Sequence, residues 1–244
     1  VSDDNKVRVL DTATGKELLR MSHTGFAQSV EVSPNGQWIA STGYDNVVRI
    51  WDAASGSQML EIPIDANGTA ISFNQDETRL IAANKSGVIS ICDISTLATR
   101  LSYIEFPEFV HEAHFTPSGE SLIVNSDDYH IWKIPANSLD KIQDGTKGQA
   151  IFTAQTLTYN VAISPDSKWI AAVEDDSVET QKDRARLVSV NGGAQFPLDH
   201  NGKVTGVAFD KDSKYAITTG TNGLISFWNV QSGKQDDALK LNNS

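Results

Sequence analysis

The sequence predicts an all-β fold made of repeated four-stranded sheets, and three observations carry this prediction. A short strand motif returns about every 40 residues, a strand–turn–strand motif returns in the same phase, and no stretch shows the period of an amphipathic helix. The chain has 244 residues, enough for one large β domain with a full core. Its apolar content of 39% and charged content of 21% are ordinary for a globular protein.

The first motif is an alternating apolar run that ends in a polar residue. It reads VRVLD at Val7–Asp11, VRIWD at Val48–Asp52 and ISICD at Ile89–Asp93, with weaker copies HIWKI, ARLVS and ISFWN further along the chain. The repeating units then end at Asp11, Asp52, Asp93, Lys133 (the fourth residue of HIWKI), Ser189 and Asn229. Because these ends lie 41, 41, 40, 56 and 40 residues apart, the unit ending at Ser189 carries an insertion of about sixteen residues.

The second motif consists of two short apolar runs separated by turn residues. SVEVSPNGQWIAS (Ser29–Ser41) matches NVAISPDSKWIAA (Asn160–Ala172) and GVAFDKDSKYAIT (Gly206–Thr218). Proline, glycine, asparagine and aspartate between two β-rich runs are typical of a hairpin. Each unit therefore holds about four strands in 40 residues, and such a small sheet buries both its faces only when it is stacked between neighbours.

The segment HTGFAQSVEVSPNGQWIASTGYDNVVRIWD, His23–Asp52, resembles the repeat of the WD-repeat β-propeller family, and the resemblance covers the whole chain. It implies blades of four strands, a to d, arranged radially with strand a innermost. It also implies a single domain over residues 1–244 with 22 strands. The half blade is 1–22, and the complete blades are 23–63, 64–104, 105–154, 155–199 and 200–244.

The opening half blade lacks strands a and b, so we expect an upstream part of a longer polypeptide to supply them and to close a ring, commonly of seven blades in this family. An enzymatic domain could lie in that upstream part. A half-propeller completed by another chain is the alternative.

The resemblance also implies a hydrogen-bonded tetrad of histidine, serine or threonine, aspartate and tryptophan in each regular blade. The residues at these places are His23, Ser41, Asp45 and Trp51, and, in the last blade, His200, Thr218, Asn222 and Trp228. Asn222 replaces the acid, so we expect His200 to lack a charged partner. A histidine–aspartate–serine set also suggests a protease, but no G-x-S-x-G turn is present and the serine would serve the structure.

Other reactive residues favour structural roles. Cys92 is the single cysteine and fits a buried strand position, and it excludes both an internal disulfide and a cysteine-based zinc site. His111 and His114 are three residues apart on a strand and so face opposite sides. The sequence therefore predicts neither a metal nor a cofactor.

In this family, partners often bind the top face, which is formed by the d–a and b–c loops. The top-face positions expected here are Phe26, Gln28, Tyr44, Asn67, Phe109, His111, Tyr159, Lys203 and Thr205. The insertion EDDSVETQKDRAR, Glu174–Arg186, adds Glu179, Lys182 and Arg184 on a b–c connection that we expect to project into water. This insertion either contacts a partner or is a surface extension that the fold tolerates.

The net charge of the chain limits the kinds of partner that we expect. The net charge is −11 and no basic run occurs, so we expect no nucleic-acid partner. No apolar run is long enough for a membrane helix, and we expect a cytoplasmic protein. The prediction is a non-catalytic scaffold or sensor domain that binds a protein, or another domain of its own polypeptide, within a larger signalling protein. The alternative is an enzyme or small-ligand binder that uses the propeller channel, which the apolar strand-a residues Val30, Ile71 and Val161 disfavour.

Overall fold

Twenty-two β-strands make up most of the described chain, which in this computed structural model comprises residues 4–95, 100–141, 148–175, 184–200 and 202–240. The count equals the number predicted from the repeat. The all-β class and the four-stranded antiparallel sheets are confirmed. Closure of a seven-bladed ring and the blade boundaries stay predictions. No helix in the described ranges is long and apolar enough to cross a membrane.

The chain forms two compact units, the first made of Val1–Phe115 with Ala136–Lys147 and the second of Thr116–Pro135 with Gly148–Ser244. Strands of the first unit are β1 (Lys6–Leu10), β2 (Glu17–Ser22), β3 (Ala27–Val32), β4 (Trp38–Gly43), β5 (Val47–Asp52), β6 (Gln58–Pro63), β7 (Gly68–Phe73), β8 (Arg79–Asn84), β9 (Val88–Asp93), β10 (Arg100–Glu105) and β11 (Val110–Phe115). A 3₁₀ helix at Ala136–Lys141 also belongs to it. β1 pairs with β2, while β3 to β6 and β7 to β10 form antiparallel sheets in chain order.

The second unit repeats this arrangement. Its strands are β12 (Ser121–Ser126), β13 (His130–Pro135), β14 (Gln149–Thr153), β15 (Thr158–Ile163), β16 (Trp169–Glu174), β17 (Arg184–Ser189), β18 (Gln195–Leu198), β19 (Val204–Phe209), β20 (Tyr215–Gly220), β21 (Leu224–Asn229) and β22 (Gln235–Lys240). β12, β13 and β14 pair in order, and β15 to β18 and β19 to β22 are complete four-stranded sheets.

Apolar side chains from neighbouring sheets fill the space between them. In the first unit, Ala40 and Ile50 of one sheet pack against Ile71 and Leu80 of the next. In the second unit, Val173 and Leu187 pack with Val204 and Trp228. Alternation along each strand sends successive residues to opposite faces, so one sheet contributes to two such cores.

A β-bulge recurs near the start of the first strand of several four-stranded sheets. The register shifts between Ala27 and Ser29 in β3, and shifts at the same place occur in β7, β15 and β19. The extra residues at these shifts are Gln28, Thr69, Tyr159 and Thr205. A bulge redirects the extra side chain away from the ladder, which explains why these positions stand apart from the strand pattern.

The predicted end of one repeat is wrong by two residues. Trp38 begins β4 and lies opposite Asp52, the end of that unit. The equivalent residue of β12, Ser121, lies opposite Pro135 rather than Lys133. The unit therefore ends 42 residues after Asp93 and 54 before Ser189.

A tyrosine in the turn explains this error. The b–c turns reverse at a residue with positive φ, which is Asn46 (58°), Gly87 (81°) and Gly223 (73°), but Tyr129 (64°) in the turn between β12 and β13. Tyrosine gives no turn signal in a sequence. The tryptophan of HIWKI then suggests an alignment of Trp132 with Trp51, which is wrong. In the paired strands, Trp132 holds the place of Arg49 in strand c.

The predicted insertion is shorter than Glu174–Arg186. Glu174 ends β16 and pairs with Arg184, the first residue of β17. Arg186 reaches back to Glu174, with Nε 2.7 Å from Oε1, and lies 5.4 Å from the centre of the Phe152 ring. The residues at both ends of the predicted insertion therefore belong to the hydrogen-bonded pair of strands β16 and β17. Glu179 and Lys182 lie outside the described residues.

Candidate functional site

A chain of hydrogen bonds joins the four tetrad residues of the β3–β6 sheet. The Trp51 indole N–H donates to Ser41 Oγ at 2.8 Å, and Ser41 Oγ lies 2.7 Å from His23 Nε2. His23 Nδ1 lies 3.0 Å from both carboxylate oxygens of Asp45. The Asp45 carboxylate can only accept, so its contact with His23 places the proton of the neutral imidazole on Nδ1 and leaves Nε2 to accept from Ser41. Arg49 Nη1, which can only donate, also lies 2.7 Å from Nδ1 and competes for this position.

Burial and hydrogen bonding fix the protonation states of this tetrad. Burial lowers the pKa of His23 below its ordinary value, so the ring is neutral near pH 7. Burial alone would raise the pKa of Asp45, but hydrogen bonds from His23 and Arg49 outweigh it and lower that pKa to about 2. The carboxylate is therefore ionised and firmly held.

The same tetrad offers no nucleophile. Ser41 is fully buried, and its hydroxyl group accepts from Trp51 and donates to His23. A substrate carbonyl has no access to this oxygen. The arrangement satisfies buried polar atoms and locks the turn after β4.

Arg49 is a fifth member of this network that sequence reasoning missed. Its Nη1 lies 2.5 Å from Asp45, its Nε lies 3.1 Å from Glu61, and its side chain is 8% exposed. Arg8 of β1 holds the equivalent place and pairs with Asp4 and Glu17. The signal was present in the sequence, because VRVLD and VRIWD share an arginine four residues after an aspartate.

The last sheet carries a second tetrad with the imidazole ring reversed. His200 Nδ1 lies 3.0 Å from Thr218 Oγ1, and Nε2 lies 3.3 Å from Asn222 Oδ1. Trp228 donates its indole N–H to Thr218 at 2.9 Å. An amide oxygen thus takes the place of the carboxylate.

Two aromatic rings are exposed at the b–c end of the β3–β6 sheet. Phe26 is 48% exposed and Tyr44 39% exposed, and their ring centres are 6.0 Å apart. Lys85 of the neighbouring sheet donates from Nζ to Tyr44 Oη at 2.7 Å and lies 4.2 Å from the ring centre. Together with the exposed bulge residue Gln28, these residues form what we call the aromatic patch.

Close backbone contacts hold the aromatic patch in place. A Cβ atom on Gly43 would lie 2.1 Å from the Phe26 carbonyl oxygen, and one on Gly25 would lie 2.9 Å from the Tyr44 backbone. The Tyr44 N–H donates to the Phe26 carbonyl at 2.9 Å. Glycine at both positions lets the two segments approach, so the rings sit on a fixed backbone.

The remaining predicted top-face residues of the first unit are Asn67, Phe109 and His111. The Asn67 carbonyl accepts the Lys85 N–H at 3.0 Å. Phe109 and His111 are partly exposed, and their ring centres are 4.6 Å apart in an edge arrangement. Like Phe26 and Gln28 of β3, these polar and aromatic residues lie near the first residue of a strand.

In the second unit, most of the predicted top-face residues make hydrogen bonds to other parts of the chain. Tyr159 is partly buried, and its hydroxyl group donates to the Val204 carbonyl at 3.1 Å. The Lys203 carbonyl accepts the Thr221 N–H at 2.9 Å, and Thr205 Oγ1 lies 3.1 Å from Thr219 Oγ1. Arg184 is exposed at the start of β17.

The other reactive side chains are placed unfavourably for chemistry. Cys92 is fully buried, and burial raises the pKa of its thiol to about 12, so the thiolate is not formed near neutral pH. Within the described ranges, no three histidine, cysteine, aspartate or glutamate side chains are grouped as metal ligands.

Comparison with known proteins agrees with this geometry. The WD domain, G-beta repeat family matches residues 15–52 and 195–229, and each match ends one residue after a tetrad tryptophan. A relative from Schizosaccharomyces pombe, target of rapamycin complex subunit wat1, is 30% identical over 91 residues. That alignment covers 36% of this chain and 27% of the yeast protein. The repeated four-stranded sheets, the two tetrads and these matches together support a likeness to the WD-repeat family.

Proposed function

We propose that this chain is a non-catalytic scaffold that binds a protein partner through the aromatic patch. The observation that carries this proposal is the exposed pair Phe26 and Tyr44, held by Lys85. Aromatic side chains on a rigid backbone are the usual anchors of protein interfaces, because they bury a large area at a small entropic cost.

The surroundings of the patch support the same role. Gln28 supplies an exposed amide, and Asn67, Phe109 and His111 are partly exposed at the corresponding places of the following strands in the first unit. We propose these residues as the rim of the interface. Tyr159, Lys203, Thr205, Glu179, Lys182 and Arg184 stay predictions as partner contacts.

The comparisons support a place in a multiprotein assembly. The yeast relative is by its name a subunit of a complex, and the chain spans about a quarter of its length. We propose by analogy that this chain also serves as a subunit or docking domain, in a regulatory setting in the cytoplasm. The buried Ser41 and the protonated Cys92 thiol support a role without catalysis.

A photo-crosslinking experiment tests the interface. The crosslinking amino acid p-benzoylphenylalanine is placed at Tyr44 or Phe26 and, as matched controls, at Tyr103 or Met59, which are 58% and 44% exposed on strands d. We expect one protein adduct to form at positions 44 and 26 at several times its yield at positions 103 and 59. Equal yields at all four positions, or adducts at the strand d positions alone, would disprove the proposed interface.

A further inference from the structure

A cleft of about 260 Å³ lies between the β3–β6 and β7–β10 sheets of the first unit, at the a–b turns and away from the aromatic patch. Its lining consists of Trp38, Ile50, Glu77, Ile94 and Ser95. It thus combines an indole ring, a carboxylate, a hydroxyl group and an aliphatic floor. None of these residues belongs to the tetrads or to the patch described above.

The backbone at Glu77 is left-handed, as it is at Ser167 and Ser213 in the a–b turns of two later sheets, and it positions the carboxylate. Glu77 has φ +57°, in the place where the a–b turns of two other sheets have Gly36 (φ +73°) and Gly119 (φ +72°). A left-handed conformation is unfavourable for a residue that carries a Cβ atom. Glu77 Oε1 accepts the N–H of Asn35 in the neighbouring sheet at 2.5 Å. The glutamate side chain is thereby held across the end of the cleft.

The local charge favours a cation in this cleft. Residues 23–95 contain eight acidic residues and three basic ones, Arg49, Arg79 and Lys85. Arg49 is buried in the tetrad network, Arg79 donates to the Ala136 carbonyl, and Lys85 contacts Tyr44. None of the three lines the cleft, so within residues 23–95 no basic side chain lies beside Glu77 there.

We propose that this cleft binds an arginine side chain of a partner protein. A planar guanidinium group stacks on an indole face and donates paired hydrogen bonds to a carboxylate. The methylene groups of the arginine would lie on Ile50 and Ile94, and the Ser95 hydroxyl group offers a further acceptor. Lysine fits less well, because its ammonium group is compact, strongly hydrated and unable to stack.

The test is a titration of the ¹⁵N-labelled chain with the peptide acetyl-Gly-Arg-Gly-amide, followed by NMR. The reporter is the Trp38 indole N–H signal, assigned by its loss in Trp38→Phe. We expect a saturable shift with the arginine peptide, at least fivefold weaker binding of the lysine peptide, and no saturable shift with the citrulline peptide, which has the same shape without charge. Two variants extend the test, Glu77→Gln and Glu77→Gly, both expected to weaken arginine binding at least fivefold.

Glu77→Gly also keeps the experiment informative about folding. Glycine adopts the left-handed turn without strain, so this variant should fold at least as well as the natural chain while it loses binding. Asp65→Asn, an exposed acid at the opposite end of the sheets, is the control and should leave binding unchanged. A shift that does not saturate, equal binding of the citrulline or lysine peptide, or full binding by both Glu77 variants would overturn the proposal. Because the peptide is tested on the chain alone, failure here leaves the aromatic patch unaffected.

Discussion

At the scale of single residues, burial decides what the polar side chains of this chain can do. Asp45 is buried and yet ionised, because His23 and Arg49 compensate its charge. Glu31 of β3 is partly buried, and no basic side chain is among the groups that shift its pKa. Its Oε2 atom makes no hydrogen bond in the described part of the chain, and burial raises the pKa of Glu31 to about 7 despite weak interactions with Ser72 and the Phe73 backbone.

This raised pKa predicts that alkaline conditions destabilise the chain. The unfolded pKa of glutamate is near 4.5 and the folded value near 7. The folded state therefore holds the proton more tightly, and its stabilising contribution is present below pH 4.5 and is lost as the pH rises through 7. We expect Glu31→Gln to raise the free energy of unfolding by about 2 kcal/mol at pH 8 and to change it little at pH 4.

Urea unfolding at the two pH values, with the exposed Glu120→Gln as control, measures this difference. A gain from Glu31→Gln that is equal at pH 4 and pH 8 would show that the carboxylate does not titrate as described.

At the scale of the strands, the sequence predicts the number of strands more reliably than the register in which neighbouring strands pair. All 22 strands follow from the repeat, because apolar alternation and turn residues are local signals. The β12–β13 register does not follow, because a shift by two residues leaves every side chain on its own face. Hydrophobic pattern alone could not distinguish Lys133 from Pro135 as the end of the repeat.

The turn that hides this register offers a direct prediction. Tyr129 holds a left-handed conformation that asparagine holds at Asn46, and both side chains are exposed. Asparagine tolerates this conformation better than tyrosine does. We expect Tyr129→Asn to raise the free energy of unfolding by about 0.5–1 kcal/mol, and Asn46→Tyr to lower it by a similar amount.

Chemical denaturation of both variants at one pH tests the pair. A neutral or destabilising Tyr129→Asn together with a neutral Asn46→Tyr would contradict the account of the turn.

At the scale of the whole molecule, the repeated four-stranded sheets could be predicted, whereas the composition of the proposed binding surface could be predicted only in part. Phe26 and Tyr44 were found from their places in the repeat. Lys85 was missed, although it holds the place of Tyr44 in the next sheet, because a lysine in a turn gives no signal by itself. Only the folded chain brings its ammonium group onto the tyrosine ring.

The same limit applies to the cleft at Trp38 and Glu77. These residues are 39 apart in sequence, and no motif joins them. Their proximity depends on how two sheets pack, which local patterns do not encode. A net charge of −11 sets the general preference for basic partners, and the individual side chains then determine where they bind.

The affinity of a purified partner for the aromatic patch tests the proposed function most directly. The protein recovered by crosslinking at position 44 is titrated by calorimetry against the natural chain, Phe26→Ala/Tyr44→Ala, and the control Leu18→Ala/Met59→Ala, whose residues are 57% and 44% exposed. We expect the patch variant to bind at least tenfold more weakly, which corresponds to about 1.4 kcal/mol or more, and the control to bind normally. An unchanged affinity of a folded Phe26→Ala/Tyr44→Ala variant would contradict the assignment of this patch as the interface.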